Sequence, residues 1–417
     1  MDFRHLIPCI KIQKNISLCI ELRLQASDFE PKFPQKTPYI ASSKPPFMKR
    51  YTSIIILCCL YSFSIAQQIP AKKDNTQYCG KESFLIEGTG VPESAKESPY
   101  DRLPLSSKGK VRQAVWDLSK NSAGLTVRFI SNSSSIKIKW GVLNDTKLNH
   151  MASTGIKGVD LYCKVNGNWM YVNTGRPTGL ENEASLVSTL PPGEREFKIY
   201  LPLYDGTTHL EVGIDSTSSI RKPLPENLLP IVFYGTSILQ GGCASRPGMA
   251  FTNIISRKMN VDCHNFGFSG NGRMDLPVVD VIAGIKASFY VIDCLPNMTP
   301  KQVTDSVMPL AKAIRSKNPL TPIVFVENIE YAKIPFEANL KKSFEAKNEA
   351  LKTEYDKLVK EGLKELYYIS SANAIGTDNE GTVDGTHMTD LGFMRYADYL
   401  IGKFKENKLL LRRASSQ

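Results

Sequence analysis

Two short stretches far apart in the chain carry side chains that could act on one substrate. An apolar run over 230–234 ends in Gly235, Thr236 and Ser237, and Asp384, Gly385, Thr386 and His387 stand just ahead of a helical pattern. A serine hydroxyl is a poor nucleophile until a base takes its proton, and a carboxylate must orient that base. Ser237 as nucleophile, His387 as base and Asp384 as orienting acid make an acyl-transfer set whose natural reaction is ester hydrolysis. Each residue also has a plain structural reading: Ser237 as a helix N-cap, His387 as an ordinary surface or core histidine. Asp390, beside Thr389, is accounted for as a cap of the helix that follows, whereas Asp384 lies outside that cap.

Acyl transfer also needs donors for the charge that builds on the carbonyl oxygen, each worth about 3–4 kcal/mol when lost. Residues 265–272 make a Gly-rich turn in which the backbone N–H of Gly270 is a candidate, and the N–H of Ser237 is a second. The side-chain amide of Asn297, just past Asp293, Cys294, Leu295 and Pro296, is a third. The alternatives are a nucleotide-phosphate loop, for which no G-x-x-x-x-G-K-[ST] pattern is present, and an ordinary turn asparagine. The G-x-S-x-G elbow of α/β-hydrolases is ruled out because Leu239 stands at its last position.

The elements that must position these residues fall into two kinds. Between about 82 and 215 come short β-branched and aromatic-rich runs, at 111–118, 125–130, 135–142, 158–165, 169–174, 196–203 and 210–214. Strict alternation through Ile136, Lys137, Ile138, Lys139 and Trp140 marks a strand with one wet face. Many close strands without helices between them predict a β-sandwich or jelly roll. After a Pro-rich linker at 216–229 the pattern changes. Near-continuous apolar strands at 231–234, 261–266, 287–293, 322–327 and 366–370 alternate with helical stretches at 248–259, 275–284, 300–317, 341–363 and 390–405. That alternation predicts a five-stranded parallel sheet covered on both faces, flavodoxin-like, with its site at the carboxyl ends of the strands. Ser237, Gly270 and Asn297 each lie just past such an end.

Composition bounds the rest. At 417 residues two domains are expected, and 42% hydrophobic with 22% charged residues is ordinary for a globular protein. The net charge is +11, but residues 1–66 hold nine Lys/Arg against four Asp/Glu, so they account for +5 of it. The remaining charges are interspersed, without the clustered basic patch that nucleic-acid binding needs. Met48, Lys49 and Arg50 precede a short apolar run, and Ser64, Ile65 and Ala66 make a small-residue exit. This is the pattern of a secretory signal peptide at 48–66, too short for a stable membrane span. The protein is therefore expected to be exported, periplasmic or extracellular, with translation starting at Met48 and residues 1–47 a non-native or disordered extension. Downstream lie a sandwich domain at 75–215, the linker and a hydrolase domain at 230–410. Five cysteines follow residue 66: Cys79, Cys163, Cys243, Cys263 and Cys294. None has zinc-ligand spacing, so no metal and no other cofactor is expected. Cys243 and Cys294 lie on loops that converge on the cleft and either pair as a disulfide or stay as two buried thiols. Arg246 either meets an acidic sugar or makes a surface or ion-pair contact.

The order of the blocks, Ser after the first strand, Gly after the second, Asn after the third and Asp-x-x-His before the last helix, resembles the SGNH (GDSL-like) hydrolase family. The resemblance implies a Ser237, His387 and Asp384 triad and an oxyanion hole built from Ser237, Gly270 and Asn297. Thr236 and Ile238 stand where that family has Asp and Leu, and Leu295 and Met298 replace the Gly and Asp around its Asn. Upstream, Gly158, Val159, Asp160, Leu161 and Tyr162 are similar to the GxDLY domain that precedes SGNH-type esterase domains, as are 99–104 and Trp116. Family and architecture together imply a serine esterase acting on acylated carbohydrate, an O-acetyl ester first, or on a small ester. The alternatives are a lipid or aryl-ester acylhydrolase and an inert carbohydrate-binding protein.

Overall fold

The computed structural model describes residues 75–414. The expected signal sequence at 48–66 and the extension at 1–47 lie outside them. Among the described residues no helix is long and apolar enough to cross a membrane.

The first part of the chain builds two antiparallel sheets. Its strands are β1 (Thr76–Cys79), β2 (Leu85–Glu87), β3 (Thr126–Ser131), β4 (Ile136–Val142), β5 (Val159–Val165), β6 (Asn168–Gly175), β7 (Glu181–Val187), β8 (Arg195–Tyr200), β9 (Thr207–Asp215) and β10 (Ile220–Arg221). One sheet has the order β1-β9-β4-β7, the other β10-β3-β8-β5-β6, with β2 paired to β3. The alternation in β4 buries Ile136, Ile138 and Trp140 against Phe129, Leu161 and Phe197 of the facing sheet. Asn166 and Gly167 both have positive φ (49° and 79°), as the two-residue hairpin joining β5 to β6 requires.

Two stretches differ from the sequence reading. Residues 111–118, expected as a strand, form helix α1 (Gln113–Ser119) instead. Val111, Val115 and Trp116 are spaced so that a helix turns them to one side, where they pack together. The region expected as a linker contributes β10, which pairs Ile220 with Ser131 at the edge of the second sheet. A second short helix, α2 (Ser153–Lys157), ends just before β5.

The rest of the chain forms one parallel sheet from β11 (Ile231–Gly235), β12 (Cys263–Gly267), β13 (Phe289–Asp293), β14 (Ile323–Val326) and β15 (Leu366–Ile369), in the order β12-β11-β13-β14-β15. Between them run α3 (Ser237–Gln240), α4 (Phe251–Met259), α5 (Leu276–Ala283), α6 (Pro300–Lys317), α7 (Ala338–Lys360) and α8 (Asp390–Glu406). Side chains alternate across β11: Ile231 and Phe233 face α4 and α8, while Val232 and Tyr234 face α5, α6 and α7. Both faces are thus covered, which is why β11, β13 and β14 read as near-continuous apolar runs, whereas β12 carries the buried polar residues His264 and Asn265. The strand order reverses at β11, and the crevice outside such a reversal is where this class of sheet binds ligands.

The antiparallel sheets are not a detached appendage. Leu103, Val111, Val115 and Trp116 complete the apolar layer under α5. Met151, Ile156 and Leu203 complete the layer on the other face.

Candidate active site

Ser237 is the first residue of α3, directly beyond β11. The cap of that helix is Thr236, whose hydroxyl accepts from the Ile238 N–H at 3.3 Å. Ser237 is therefore not needed as the cap, and its Oγ lies 2.9 Å from His387 Nε2. His387 Nδ1 is 2.8 Å from Asp384 Oδ2. A carboxylate can only accept, so Nδ1 carries the hydrogen and Nε2 is left as the acceptor for the serine hydroxyl. The other oxygen of Asp384 accepts from the backbone N–H groups of Thr386 (2.9 Å) and His387 (2.7 Å). One carboxylate thus folds its own turn and orients the ring three residues on. Burial alone would lift the Asp384 carboxyl, but its bonds to the His387 ring and to these two N–H groups outweigh that and hold it at about 2. Thr389 caps α8, accepting from Gly392 N–H at 3.2 Å. Asp390 is instead a first-turn residue that accepts from the Ser245 N–H at 2.9 Å.

The candidate oxyanion donors cluster at the ends of the three neighbouring strands. Gly270 sits at φ +68°, a conformation that suits glycine. A Cβ on Gly272 would run into the carbonyl of Gly235, so the turn lies backbone against backbone on the end of β11. Gln240 steadies the turn from the side: its Oε1 accepts from Ser269 N–H and its Nε2 donates to Leu203 O, both at 3.0 Å. Asn297 Oδ1 accepts from Gly272 N–H at 3.2 Å, which leaves its Nδ2 hydrogens pointed away from that bond. Ser237 N–H, at the first turn of α3, is one of the donors a helix cannot pair internally.

Some residues around the site were not singled out from sequence. Arg102 is fully buried and donates to Asn265 O (3.2 Å), Gly267 O (2.6 Å) and Leu118 O (2.6 Å), with its guanidinium 4.8 Å from the centroid of the Phe268 ring. It therefore holds the base of the Gly-rich turn. Tyr204 donates to Ser237 O at 3.2 Å. His150, on the loop before α2, has its ring centroid 5.6 Å from that of His387. Nothing local to Arg102 tells that two of its three carbonyl acceptors lie more than 160 residues away in sequence.

The remaining expected site residues have different fates. Arg246 Nη1 donates to Asp160 Oδ2 at 2.7 Å and to Tyr162 Oη at 2.8 Å, and its guanidinium lies 3.9 Å from the centroid of the Tyr171 ring. Arg246 thus makes an ion pair with Asp160. Asp160 also accepts from Gly248 N–H at 2.8 Å, so the Asp and Tyr of the 158–162 motif clasp the loop that follows the candidate nucleophile. Of the two readings of Cys243 and Cys294, the structure has the two buried thiols, and all five described cysteines are free. Cys294 is turned into the layer beneath α5, where its thiol donates to Tyr234 O at 3.5 Å. Cys243 lies in the loop after α3, where burial, and then the Asp384 charge, push its thiol up to about 12.

Comparison with known proteins matches both halves of the chain. The model of the GDSL-like lipase/acylhydrolase family matches residues 229–405. The model of the GxDLY domain, the N-terminus of SGNH-hydrolase-type esterases, matches residues 76–220. A crystal structure described as a GDSL-like lipase from Bacteroides ovatus is 35% identical, with a TM-score of 0.77, over 82% of this chain and 100% of that one. A salicylyl-acyltransferase from a tetracycline biosynthetic pathway has the same fold at 15% identity, with a TM-score of 0.68, over 81% of this chain and 99% of that one. A family two carbohydrate esterase from Cellvibrio japonicus shares it at 11% identity, with a TM-score of 0.52, over 79% of this chain and 97% of that one. No curated protein matches the chain.

Proposed function

The chain belongs to the GDSL-like lipase/acylhydrolase family of serine ester hydrolases, and from that premise we propose that it is an exported esterase removing acyl groups, acetyl first among them, from carbohydrate hydroxyls. The observation that carries this reading is the unbroken line of contacts from Ser237 Oγ through the His387 ring to Asp384, at 2.9 Å and 2.8 Å.

In the proposed reaction His387 Nε2 takes the Ser237 proton as Oγ attacks the ester carbonyl. The oxyanion would be held by Ser237 N–H, Gly270 N–H and the Asn297 amide, each contributing about 3–4 kcal/mol. Collapse of the tetrahedral species breaks the C–O bond to the sugar, and the imidazolium returns its proton to the departing alkoxide. Water then repeats the sequence on the acyl-enzyme, releasing the acid and restoring the serine. Asp384, held at about 2, stays ionised throughout and stabilises the imidazolium at each stage.

The substrate reading draws on the surface beside the site. Between the antiparallel sheets and the loop after α3 lies a groove of about 810 Å³, lined by Thr154, Tyr171, Asn173, Arg176, Ser245 and Arg246. Hydroxyls, amides, guanidinium groups and an exposed aromatic ring are what a sugar chain can bond to and stack on. A lipid acyl chain would call for an apolar channel. The shared fold with a carbohydrate esterase is an argument from analogy only. Export rests on the pattern at 48–66.

The test is acetate release from acetylated polysaccharides set against hydrolysis of 4-nitrophenyl esters of increasing chain length. The reading expects acetate release from the polysaccharides and rates that fall as the acyl chain lengthens. Rates that climb with chain length, with no acetate released from any glycan, would overturn the substrate reading in favour of a lipid acylhydrolase.

A further inference from the structure

Two further side chains that can ligate a metal lie close to the candidate base, His387. His150, Cys243 and His387 each offer a ligand atom, and these atoms lie within 4.8 Å of one another. His150 comes from the loop before α2 and Cys243 from the loop after α3, so the two parts of the fold meet here.

Both rings have one nitrogen already committed. His387 Nδ1 bonds Asp384 Oδ2 at 2.8 Å, and His150 Nδ1 bonds Asn149 Oδ1 at 3.0 Å. With an oxygen acceptor on each Nδ1, the hydrogen sits there and the lone pair is left on Nε2. Carboxylate- or carbonyl-oriented imidazole is the arrangement that fixes histidine ligands of zinc. The third group is a thiol on a residue held at φ +73° although it is not glycine. That conformation is sterically unfavourable for a residue with a Cβ and persists only where the surrounding structure imposes it. The turn that imposes it includes the bond from Gly242 N–H to Ser237 O at 2.8 Å, so the thiol is tied to the backbone of the candidate nucleophile.

We propose that His150 Nε2, Cys243 Sγ and His387 Nε2 form a zinc site whose occupation switches the hydrolase off. Two imidazoles and one thiolate are a borderline-soft set that suits zinc, with water in the fourth position. Zinc–ligand bonds of about 2.0–2.3 Å place neighbouring ligands roughly 3.5 Å apart, so the three atoms must close in by about 1 Å. His150 is exposed and can supply that movement by a change of rotamer. On binding, the Cys243 proton goes to solvent and the His387 lone pair goes to the metal. That lone pair is the one Ser237 needs, so the serine loses its base. The site itself is independent of the esterase reading. Only the inhibitory consequence rests on it.

Cobalt(II) reports the site without any turnover, because a thiolate ligand gives a charge-transfer band in the near ultraviolet. The chelator-treated protein is titrated with cobalt, then with zinc while 4-nitrophenyl acetate hydrolysis is followed. One equivalent of cobalt should give the band, and zinc should abolish turnover reversibly, with EDTA restoring it. His150→Gln, an exposed change that leaves the fold intact, and Cys243→Ser should keep basal turnover. Each should raise the inhibitory zinc concentration by about 10- to 100-fold or more, and Cys243→Ser should lose the band. Ser237→Ala, which removes turnover on the esterase reading, should keep it. The site is overturned if cobalt gives no thiolate band with the wild-type protein, or if both variants are inhibited at the wild-type zinc concentration. Zinc that binds and leaves turnover untouched would overturn the switch.

Discussion

Replacing Asp384 by Asn separates the two tasks of that side chain. In the native turn one carboxylate oxygen accepts from Thr386 and His387 N–H, and the other accepts from the His387 ring. An asparagine carbonyl can keep the two backbone bonds, so the turn and the fold should survive. Its amide, however, donates where the carboxylate accepted. The ring must then turn its lone pair to that amide and carry its hydrogen on Nε2, which faces Ser237. A base that already holds the proton cannot take another, and the rate should fall by about 10⁴-fold, equivalent to roughly 5.5 kcal/mol on the barrier. The assay is kcat for 4-nitrophenyl acetate, with thermal unfolding followed by circular dichroism as the control for folding. The pH dependence adds a second check. Because the Asp384 carboxyl is depressed from 3.8 to about 2, it is ionised at every practical assay pH, and the acid limb of the wild-type profile must belong to another group. Its contribution to stability is complete above about pH 4 and disappears as the pH falls through about 2, so the acid unfolding of the variant should lack that component. A folded Asp384→Asn protein that retains kcat within about tenfold of wild type would refute the reasoning, since no tautomer argument survives that result.

Asn297→Ala removes one proposed oxyanion donor and the acceptor for Gly272 N–H; kcat should drop about 10²- to 10³-fold with KM little changed, and an unchanged kcat would remove Asn297 from the site. Asp293 is buried at the end of β13, with Tyr396 donating to it at 2.9 Å, and burial pushes its carboxyl up from 3.8 to about 7 against that bond. A raised folded pKa means the folded state holds the proton more tightly, so stability should be greatest near pH 4 and decline until about pH 7, by up to roughly 4 kcal/mol. Asn is the isostere of the protonated acid, so Asp293→Asn should flatten this slope in urea unfolding measured from pH 4 to 8; the same slope in both proteins would show that another group is responsible.

Much of the parallel sheet could be read in the sequence because its strands are buried on both faces. Runs such as 231–234 leave little room for another structure, and each observed strand falls within two residues of its expected place. The antiparallel sheets were harder. β7 has the sequence Glu-Asn-Glu-Ala-Ser-Leu-Val at a sheet edge, where one neighbour and a wet face relax the demand for apolar residues. Residues 111–118 are rich in Val, Trp and Leu, but strand-like composition gave way to helical spacing once those side chains had a neighbouring layer to cover. At the site, the pairing of Asp384 with His387 was legible because both sit in one short turn, while Ser237 was joined to them by the order of the blocks along the chain, which resembles that of a known family. Arg102, Tyr204 and His150 were not legible, since their relation to the site is set by how the two halves of the chain dock. The same docking explains Arg246, whose charge faces Asp160 of β5 rather than open solvent. The choice between a disulfide and two thiols at Cys243 and Cys294 stayed open for a related reason: two loops that end near one cleft need not point their side chains into it, and Cys294 points into the core.

The proposed reaction makes Ser237 a nucleophile activated by His387. Treatment with a serine-directed fluorophosphonate followed by peptide mapping tests it most directly. One adduct is expected, on Ser237, formed at a rate that collapses in His387→Ala. An adduct confined to another residue, or no adduct on an intact folded protein, would contradict it.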